Sequence, residues 1–312
     1  MFGFKLVSVV VTYNRLEKLK KTLLSYELQT QQCDDIVVVD NCSTDGTGIF
    51  LENWEKVPSK FNKHVLHTDS NTGGAGGFYT GMEYALKLKA DWVWLADDDA
   101  YPEKNSFERL YDFISKQKNI VDISAICSSV ITPSGLVDLE HRGYLSRGIC
   151  WNRRNSNTSD YKLEFFNIDF LSYVGVAVNA RALMKVGLCN KDFFIHFDDS
   201  EHSIRLRKYG SILCVPSIRV VHDVPVKQVK ANDRNYNWKT YYGIRNTIYS
   251  YLRHHIPTAC IWILRIVLWQ NFLFLIGRIN KKSQKLMMTA VWDGCKGNLG
   301  IHRLYRPGYK VN

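Results

Sequence analysis

Continuous apolar runs of strand length alternate with longer segments of helical period along the first 235 residues. The runs at 6–11, 36–40 and 92–96 have apolar residues at consecutive positions, whereas a half-exposed strand would alternate apolar and polar residues. Consecutive apolar residues are typical of parallel strands that helices bury on both faces. The pattern therefore predicts an α/β fold with a mostly parallel central sheet, in which helices at 16–28 and 78–89 connect strands.

Further strands and helices follow from the same two periods. Strands are predicted at 64–67, 123–131 and 174–178, and helices at 105–118, at 180–186 and in a segment that ends at Tyr209 before Gly210. Residues 132–165 show neither period, and we expect an irregular insertion there.

Three consecutive carboxylates, Asp97, Asp98 and Asp99, end the apolar run at 92–96. Open α/β sheets bind their ligands at the carboxyl ends of strands. Because side chains alternate between faces in extended backbone, we expect Asp97 and Asp99 to point one way and Asp98 the other. Two carboxylates on one face suit Mg²⁺ or Mn²⁺. The alternative is an acidic turn that caps a helix beginning near Pro102.

A glycine-rich segment, Asn71-Thr-Gly-Gly-Ala-Gly-Gly77, precedes the helix predicted at 78–89. Glycines let the backbone approach a ligand closely, and a helix N-terminus favours anions such as phosphate. A flexible loop is the alternative. The segment is not the dinucleotide fingerprint, because it follows the third predicted strand.

A second acidic constellation lies at His196-Phe-Asp-Asp-Ser-Glu201, and a lone histidine, His222, ends a later apolar run. Asp198 or Asp199 is expected to be the N-cap of the helix that ends at Tyr209. Since both cannot cap, the other is well placed as a general base. A lone histidine is usually structural, but beside a carboxylate site an imidazole suits the role of third metal ligand.

Composition narrows the classes of partner and compartment. The 312 residues include 41 Lys and Arg against 30 Asp and Glu, a formal charge of +11 that favours phosphates, nucleic acid or anionic membranes. The eight cysteines form no C-x-x-C pair, which argues against a zinc site and favours reduced thiols in the cytoplasm. The opening Met1-Phe-Gly-Phe-Lys5 leads directly into a strand, so no secretory signal peptide is predicted.

The last part of the chain differs in character, and we place a domain boundary between 1–235 and 236–312. A long apolar stretch at 256–279 is interrupted by Arg265 and Gln270. Its length would span a bilayer, but these polar residues would make spanning costly. We therefore expect helices that lie on an anionic membrane surface. The alternatives are a buried helical hairpin and an interface in a homo-oligomer.

Six motifs together carry a resemblance that covers essentially the whole chain. They are Val11-Thr-Tyr-Asn-Arg15, Val39-Asp-Asn-Cys-Ser-Thr-Asp-Gly-Thr47, Asn71-Thr-Gly-Gly-Ala-Gly-Gly-Phe78, Trp94-Leu-Ala-Asp-Asp-Asp99, His196-Phe-Asp-Asp-Ser-Glu201 and Val221-His-Asp223. With these motifs in this order, the chain resembles the inverting family-2 glycosyltransferases with a GT-A fold. The glycine-rich segment, the triple Asp and Tyr242-Gly-Ile-Arg-Asn246 are similar to the galactofuranosyltransferase and rhamnosyltransferase branch, whose C-terminal helices associate with membranes.

The resemblance implies a set of donor-binding residues. Thr12 and Arg15 would lie along the nucleotide, and Asp40 would accept the imide N–H of a uracil or thymine base. Asn71 and Gly73 would line the pocket for the nucleotide sugar.

The resemblance also implies a metal site and a base. Asp97 and Asp99 with His222 would hold Mn²⁺ or Mg²⁺ on the diphosphate, and Asp97 would also border the donor. Asp199 would deprotonate the acceptor hydroxyl, with Asp198 as the second choice.

These roles describe a metal-dependent inverting transfer of a sugar to a hydroxyl of a growing, lipid-linked, cell-surface polysaccharide. Galactofuranose from UDP-galactofuranose is favoured over rhamnose from dTDP-rhamnose. The enzyme is expected on the cytoplasmic face of the inner (plasma) membrane, without a nucleic-acid partner. Two rivals stay open: a nucleotidyltransferase, which would normally carry its glycine- and lysine-bearing loop after the first strand, and a non-catalytic module that binds membrane or nucleic acid.

Overall fold

The structure is a computed structural model that describes residues 3–146, 148–224 and 236–311. Its strands are β1 (Leu6–Thr12), β2 (Asp35–Asp40), β3 (Asn62–His67), β4 (Trp92–Asp97), β5 (Ala100–Pro102), β6 (Ile123–Ile131), β7 (Arg142–Ser146), β8 (Asn152–Asn155), β9 (Phe166–Ile168), β10 (Phe170–Leu171), β11 (Val176–Asn179) and β12 (Ser211–His222). Its α-helices are α1 (Leu16–Glu27), α2 (Thr47–Lys56), α3 (Gly73–Lys87), α4 (Ser106–Lys116), α5 (Ala180–Val186), α6 (Asp198–Tyr209), α7 (Trp238–His254), α8 (Ile256–Leu275) and α9 (Lys281–Lys296).

The central sheet has β1 at the point where the strand order reverses. Its strands follow the order β3-β2-β1-β4-β11-β6-β12-β5. A ninth strand, β9, pairs with β12 but is not part of this order. β1 pairs in parallel with both β2 and β4, and β6 pairs in parallel with β12. β11 lies antiparallel between β4 and β6. The predicted α/β fold with a mostly parallel sheet is confirmed.

Helices cover both faces of this sheet, which explains the consecutive apolar residues of its strands. One face packs against α1, α2 and α4 through a cluster that contains Leu23, Trp54 and Phe107. The other face packs against α3, α5 and α6 through a cluster that contains Met82 and Leu183. β1 and β2 are buried along their whole length.

Residues 132–165, expected to be irregular, contribute β7 and β8 to a small second sheet with the order β10-β7-β8. The expectation of an irregular insertion is therefore wrong. The strands escaped prediction because they are short and because all four residues of β8 are exposed and polar. Arg142 anchors this sheet to the central one. Its side chain is fully buried and donates hydrogen bonds to the backbone carbonyls of Ser128 in β6 and Val174 before β11.

The helices after residue 236 pack on one another and on the loop that precedes α6. Their shared core contains Tyr242, Leu286 and, from that loop, Phe194. Among the described helices, α8 alone is long and apolar enough to cross a membrane, and 22% of its apolar window is buried. The predicted domain boundary before residue 236 adjoins residues 225–235, which lie outside the described residues. This boundary stays a prediction.

Candidate active site

The carboxyl ends of β1, β2 and β4 meet at one edge of the central sheet. The register aligns Thr12 of β1 with Asp40 of β2, and Val11 of β1 with Asp97 of β4. Because β2 and β4 flank β1 on opposite sides, this edge is a topological switch point, where open α/β sheets bind ligands. The buried strands therefore bring polar side chains into one crevice.

The three carboxylates at the carboxyl end of β4 do not alternate along an extended strand. β4 ends at Asp97, and Asp98 and Asp99 form a turn before β5. Arg15 bridges this turn, with Nη1 2.8 Å from Asp98 Oδ1 and Nη2 2.7 Å from Asp99 Oδ2. The expected alternation is therefore wrong, because it assumed that extended backbone continues beyond Asp97. The alternative of a helix cap is also wrong, since the N-cap of α4 is Asn105.

The environments of these carboxylates shift their proton affinities in different directions. Burial, and then repulsion by Asp99 and Asp98, raises the pKa of Asp97 well above its usual range. Burial raises the pKa of Asp98 to about 6, although Arg15 opposes this shift. Burial also opposes ionisation of Asp99, but its hydrogen bond with His222 and the charge of Arg15 lower the pKa below the usual value. Repulsion among the three acids favours a bound cation.

His222, at the end of β12, faces Asp99. Its Nε2 lies 3.5 Å from Asp99 Oδ1, and its Nδ1 is buried without a hydrogen-bond partner in the described part of the chain. The described residues bring three potential metal ligands within 4.8 Å of one another in one group, which consists of His222, Asp138 and His141. Asp97 is outside this group. Of the three expected ligands, the structure thus brings Asp99 and His222 together. It also places two further potential ligands, Asp138 and His141, beside His222.

A pocket of about 440 Å³ opens beside the carboxylates. It is lined by five of the six residues expected to hold the donor, which are Thr12, Arg15, Asn71, Gly73 and Asp97. Asp40, the sixth, is buried and is not part of this lining. Its carboxylate accepts a hydrogen bond from the backbone N–H of Ser43 at 3.0 Å and lies 3.1 Å from His67 Nδ1.

Asn41, which the sequence analysis did not single out, fixes the start of α3. Its Oδ1 accepts hydrogen bonds from the backbone N–H and the hydroxyl of Thr72, both at 2.9 Å, and its Nδ2 donates to the Gly73 carbonyl at 2.9 Å. Asn71 in turn accepts a hydrogen bond from the Gly73 N–H at 2.8 Å. The available signal was the position of Asn41 directly after β2, beside Asp40.

The glycine-rich segment forms the first turns of α3 and does not precede a helix that begins at 78. A Cβ on Gly77 would overlap the side chain of Val11 in β1, and a Cβ on Gly73 would overlap the Phe194 carbonyl. Gly73 also has a φ of +72°. Gly74, by contrast, has open space around its Cβ position. The glycines therefore allow α3 to approach β1 and the loop before α6, while its N-terminus borders the pocket.

Asp198 and Asp199 begin α6, and neither is its N-cap. That position belongs to Phe197, which has a φ of +70° and makes no side-chain cap bond. The expected cap is wrong because a capping side chain needs an N-cap residue in extended backbone. Burial, and then repulsion by Asp199, raises the pKa of Asp198 to about 8, so Asp198 keeps its proton at neutral pH. Asp199 is the less buried of the two.

The second sheet and the C-terminal region complete the surroundings of the two acid clusters. Arg153 of β8 stacks on the Phe170 ring and reaches the hydroxyl of Ser200 in α6, with Nη1 at 3.3 Å. The pocket has a wall from beyond the predicted domain boundary, formed by Trp238 and Lys239 of α7 and by Pro307. The available sequence signal for this wall was the aromatic and basic composition of the chain just after residue 235.

The arrangement combines a cation-binding carboxylate cluster with a second acid pair that lies on a different element. The two clusters are close enough for Asp198 to contribute to the raised pKa of Asp97. One cluster is suited to a phosphorylated ligand with its metal ion, and the other is suited to proton transfer from a nucleophile.

The sequence matches known proteins of one class. The family described as Glycosyl transferase family 2 matches residues 8–187. Galactofuranosyltransferase GlfT1 of Mycobacterium tuberculosis is 30% identical over 204 residues, which are 65% of this chain and 64% of that protein. The dTDP-rhamnosyl transferase RfbF of Shigella flexneri is 25% identical over 305 residues, which are 94% and 96% of the two chains. The match with GlfT1 therefore covers less than two thirds of that protein.

Solved structures agree on the fold. GalNAc-T7 with UDP, GalNAc and Mn²⁺ superposes with a TM-score of 0.63 at 14% identity, covering 94% of this chain and 56% of that one. S. aureus TarS 1–349 in complex with UDP gives a TM-score of 0.57 at 16% identity, covering 93% and 80%. At these identities the likeness shows the GT-A fold alone. Because the family match extends over more than half of this chain, the chain belongs to glycosyltransferase family 2.

Proposed function

We propose that the chain transfers galactofuranose from UDP-galactofuranose, with inversion, to a hydroxyl of a growing, lipid-linked, cell-surface polysaccharide. One observation carries the proposal: five of the six residues expected to hold the donor line a single pocket beside the carboxylate cluster. The similarity to a galactofuranosyltransferase over 204 residues favours that sugar.

The donor would lie in this pocket with its diphosphate near Arg15 and the N-terminus of α3. The side chain of Arg15 is 42% exposed, so it can reach a ligand as well as Asp98. The first N–H groups of a helix and its dipole favour an anion. Asp40 would read the base from the neighbouring strand, a role that would require it to share or exchange its contacts with Ser43 and His67.

The residues present fit a divalent cation. Carboxylates crowd the end of β4, Asp99 lies 3.5 Å from His222 Nε2, and His222 Nδ1 is a buried nitrogen without a partner in the described chain. Asp97, Asp99 and His222 would hold Mn²⁺ or Mg²⁺, whose ligands are oxygen and imidazole nitrogen. When bound, such a cation neutralises the charge that develops on the departing nucleoside diphosphate.

Asp199 would act as the general base for the acceptor hydroxyl. Asp198 keeps its proton at neutral pH, because burial raises its pKa to about 8, and it is the second choice for this role. Attack by the deprotonated hydroxyl from the side opposite the diphosphate inverts the anomeric carbon in a single displacement. The base and the cation site would therefore act on opposite sides of the sugar.

The proposed acceptor and location draw support from the exterior of the C-terminal helices. α8 exposes apolar side chains along its length, and basic residues of the following helix are exposed beside it. Such a surface would hold a peripheral enzyme on the anionic cytoplasmic face of a membrane, next to a lipid-linked acceptor.

A rhamnosyl transfer from dTDP-rhamnose is the second candidate, favoured by the match to RfbF over 94% of this chain. Membership of a glycosyltransferase family argues against a non-catalytic module, which is not proposed further.

A donor panel tests the proposal directly. The purified protein is incubated with UDP-galactofuranose, UDP-galactopyranose or dTDP-rhamnose and a lipid-linked acceptor, with Mn²⁺ or with EDTA. We expect release of UDP from UDP-galactofuranose that depends on both the acceptor and the metal, and a product with inverted anomeric configuration by NMR. Turnover of dTDP-rhamnose alone would move the assignment to the second candidate, and equal turnover in EDTA would remove the metal.

A further inference from the structure

Asn246, in the middle of α7, is fully buried and hydrogen-bonds the loop that precedes α6. Its Nδ2 lies 3.0 Å from the carbonyl of Phe193, 3.0 Å from that of Ile195 and 2.8 Å from that of His196. One side-chain amide from the C-terminal region, with two N–H donors, thus lies within hydrogen-bond distance of three main-chain carbonyls in residues 193–196 of the catalytic region.

Arg245 completes this contact. Its Nη2 donates to the carbonyls of Asp192 at 3.2 Å and Phe193 at 3.1 Å, and its Nη1 donates to the Gly300 carbonyl at 2.6 Å. Its Nε donates to Asn246 Oδ1 at 2.9 Å, which fixes the orientation of the amide. Arg245 is also fully buried.

The loop at 193–197 depends on such partners because its backbone is strained. Phe194 and His196 have φ values of +66° and Phe197 has +70°, in the left-handed region that L-residues rarely adopt. Strained backbone persists only where the surrounding structure determines it. The bonds from α7 supply this restraint at Phe193, Ile195 and His196.

The same loop connects the two halves of the proposed site. Phe194 and Ile195 line the donor pocket, and the Phe194 carbonyl accepts a hydrogen bond from the Ala75 N–H of α3 at 3.2 Å. At its other end, the loop runs directly into Asp198 and Asp199. Its position therefore sets the distance between the donor pocket and the acid pair.

We propose that Arg245 and Asn246 are positioning residues, which hold the 193–197 loop so that Asp199 stands at a fixed place relative to the donor pocket. The assignment rests on the proposed role of Asp199 as the base. It makes α7 part of the catalytic unit, although α7 supplies no reacting group.

The test compares Asn246→Ala with Thr247→Val in the full chain. Thr247→Val is the matched control, because it removes another buried hydrogen bond of α7, from the threonine hydroxyl to the Gly243 carbonyl at 2.7 Å, which lies within the helix and not between the helix and the loop. Amide hydrogen exchange of the peptide that covers 193–199 reports loop order without substrate. Steady-state kinetics and UDP affinity report the functional consequence.

In Asn246→Ala we expect amide exchange in 193–199 to be about 10-fold faster, and kcat to fall by about 10- to 100-fold, as for a misplaced catalytic group. UDP affinity should stay within about threefold of wild type. Thr247→Val should change neither exchange in 193–199 nor kcat by more than about threefold.

Unchanged exchange in 193–199, or equal losses of kcat in both variants, would overturn the proposal. If Asn246→Ala does not fold, Asn246→Ser, which keeps one donor, is measured in the same way and is expected to show a smaller change in the same direction. If the wild type transfers no sugar from any donor, the proposed function fails, whereas the exchange measurement still decides whether α7 holds the loop.

Discussion

At the scale of single residues, the environment decides which carboxylate of an adjacent pair can accept a proton. Asp198 and Asp199 differ by one position in α6, yet burial raises the pKa of Asp198 to about 8. Asp199 is less buried and interacts electrostatically with Arg153 of the second sheet. Asp199 is therefore the more accessible carboxylate of the pair for a proton from the acceptor hydroxyl.

Asp198→Asn should stabilise the protein at high pH. The unfolded chain loses the Asp198 proton near the ordinary pKa of about 3.9, whereas the folded chain keeps it to about pH 8. Between these values the folded state binds more protons, so its stability falls as pH rises. Asparagine cannot ionise, and we expect its stability advantage over wild type to grow by at least about 1.4 kcal/mol between pH 5 and pH 9. Thermal unfolding in EDTA measures this difference in stability between the variant and the wild type. A difference that stays constant with pH would contradict the raised pKa of Asp198.

Asp199→Asn should abolish transfer while the donor still binds. The amide keeps the shape of the carboxylate but cannot take the acceptor proton, so we expect kcat to fall by about 100- to 10,000-fold. Isothermal titration with UDP and Mn²⁺ should give an affinity close to that of wild type. Asp198→Asn is measured in parallel, because Asp198 is the second choice for the base. Since an amide resembles the neutral acid, this variant should keep most of the activity if Asp199 is the base. Lost UDP affinity in Asp199→Asn would instead place this residue in the donor or metal site.

Removal of the expected metal ligands should weaken Mn²⁺ binding and transfer together. Since residues that only support metal ligands already contribute 10- to 100-fold, Asp97→Asn, Asp99→Asn and His222→Ala should each cost at least about 100-fold in transfer at limiting Mn²⁺. His141→Ala, in the group that the structure gathers around His222, should cost less. Mn²⁺ titration by electron paramagnetic resonance compares the four variants. A loss in His141→Ala as large as that in Asp97→Asn would exchange the two residues in the ligand set.

At the scale of elements, α3 shows how close packing determines the position of a ligand-binding N-terminus. Gly77 admits the side chain of Val11 from β1, and Gly73 admits the Phe194 carbonyl from the loop before α6. The glycines thus bring three elements into contact at one corner of the pocket. From the sequence these glycines indicated close approach to a ligand or a flexible loop, and not helix packing, because the segments they contact are remote in sequence.

Gly73→Ala should displace this corner, whereas Gly74→Ala should not. A methyl group at 73 overlaps main chain that cannot move cheaply, and the φ of +72° strains any L-residue there, so we expect a loss of about 1–3 kcal/mol in stability. UDP affinity should fall as well, since Gly73 lines the pocket. At 74 the added methyl group meets open space. Chemical denaturation of both variants tests the packing argument, and equal losses of stability would contradict it. UDP titration is informative for Gly73→Ala alone, because Gly74 also lines the pocket.

Buried elements with a strong period were predictable from the sequence, and elements that depend on remote contacts were not. The run at 123–131 coincides with β6 because burial on both faces demands consecutive apolar residues. β8 escaped prediction because its exposed residues carry no period. The turn at Asp98 and Asp99 also escaped, since Arg15, far away in sequence, stabilises it.

The same distinction applies to the candidate site. Thr12 and Asp97 could be placed together because parallel strands bring their carboxyl ends to one edge. Asn41 and Trp238 could not, because their contribution arises from the three-dimensional packing of α3 and α7 against that edge. The residue roles implied by the family resemblance remain predictions for the variants described above.

At the scale of the whole molecule, the C-terminal helices have an inner face and an outer face with different chemistry. The inner face contributes to the pocket and, through Arg245 and Asn246, contacts the loop before α6. The outer face belongs to α8, whose exposed apolar residues include Leu264, Leu268, Trp269, Phe272 and Leu275. A surface of this kind on a folded protein marks a site of interaction.

The polar residues of α8 are distributed in a way that favours a position on the membrane surface. Gln270 is buried and donates a hydrogen bond to the Tyr236 hydroxyl at 3.0 Å, so it would not oppose entry into lipid. Arg265, however, lies near the middle of α8 and is exposed. A charge at that depth would be costly in a spanning helix, whereas a helix in the interface keeps it at the headgroups.

We therefore expect the protein to bind anionic vesicles and to be released by salt. Exposed Lys281, Lys282 and Lys285 contribute about 1 kcal/mol each near an anionic surface, so their combined replacement by Ala should prevent flotation with anionic vesicles at moderate salt. Leu268→Glu, on the exposed apolar face, should weaken binding without affecting UDP affinity. The matched control is Leu24→Glu, at an exposed apolar residue of α1 on the catalytic region, and this variant should float like the wild type.

Retention of the protein in membranes through high salt and alkaline carbonate would indicate that α8 spans the bilayer. A dimer in solution that fails to float with either anionic or neutral vesicles would assign the apolar face to assembly, because a second copy would then be the partner that removes it from water.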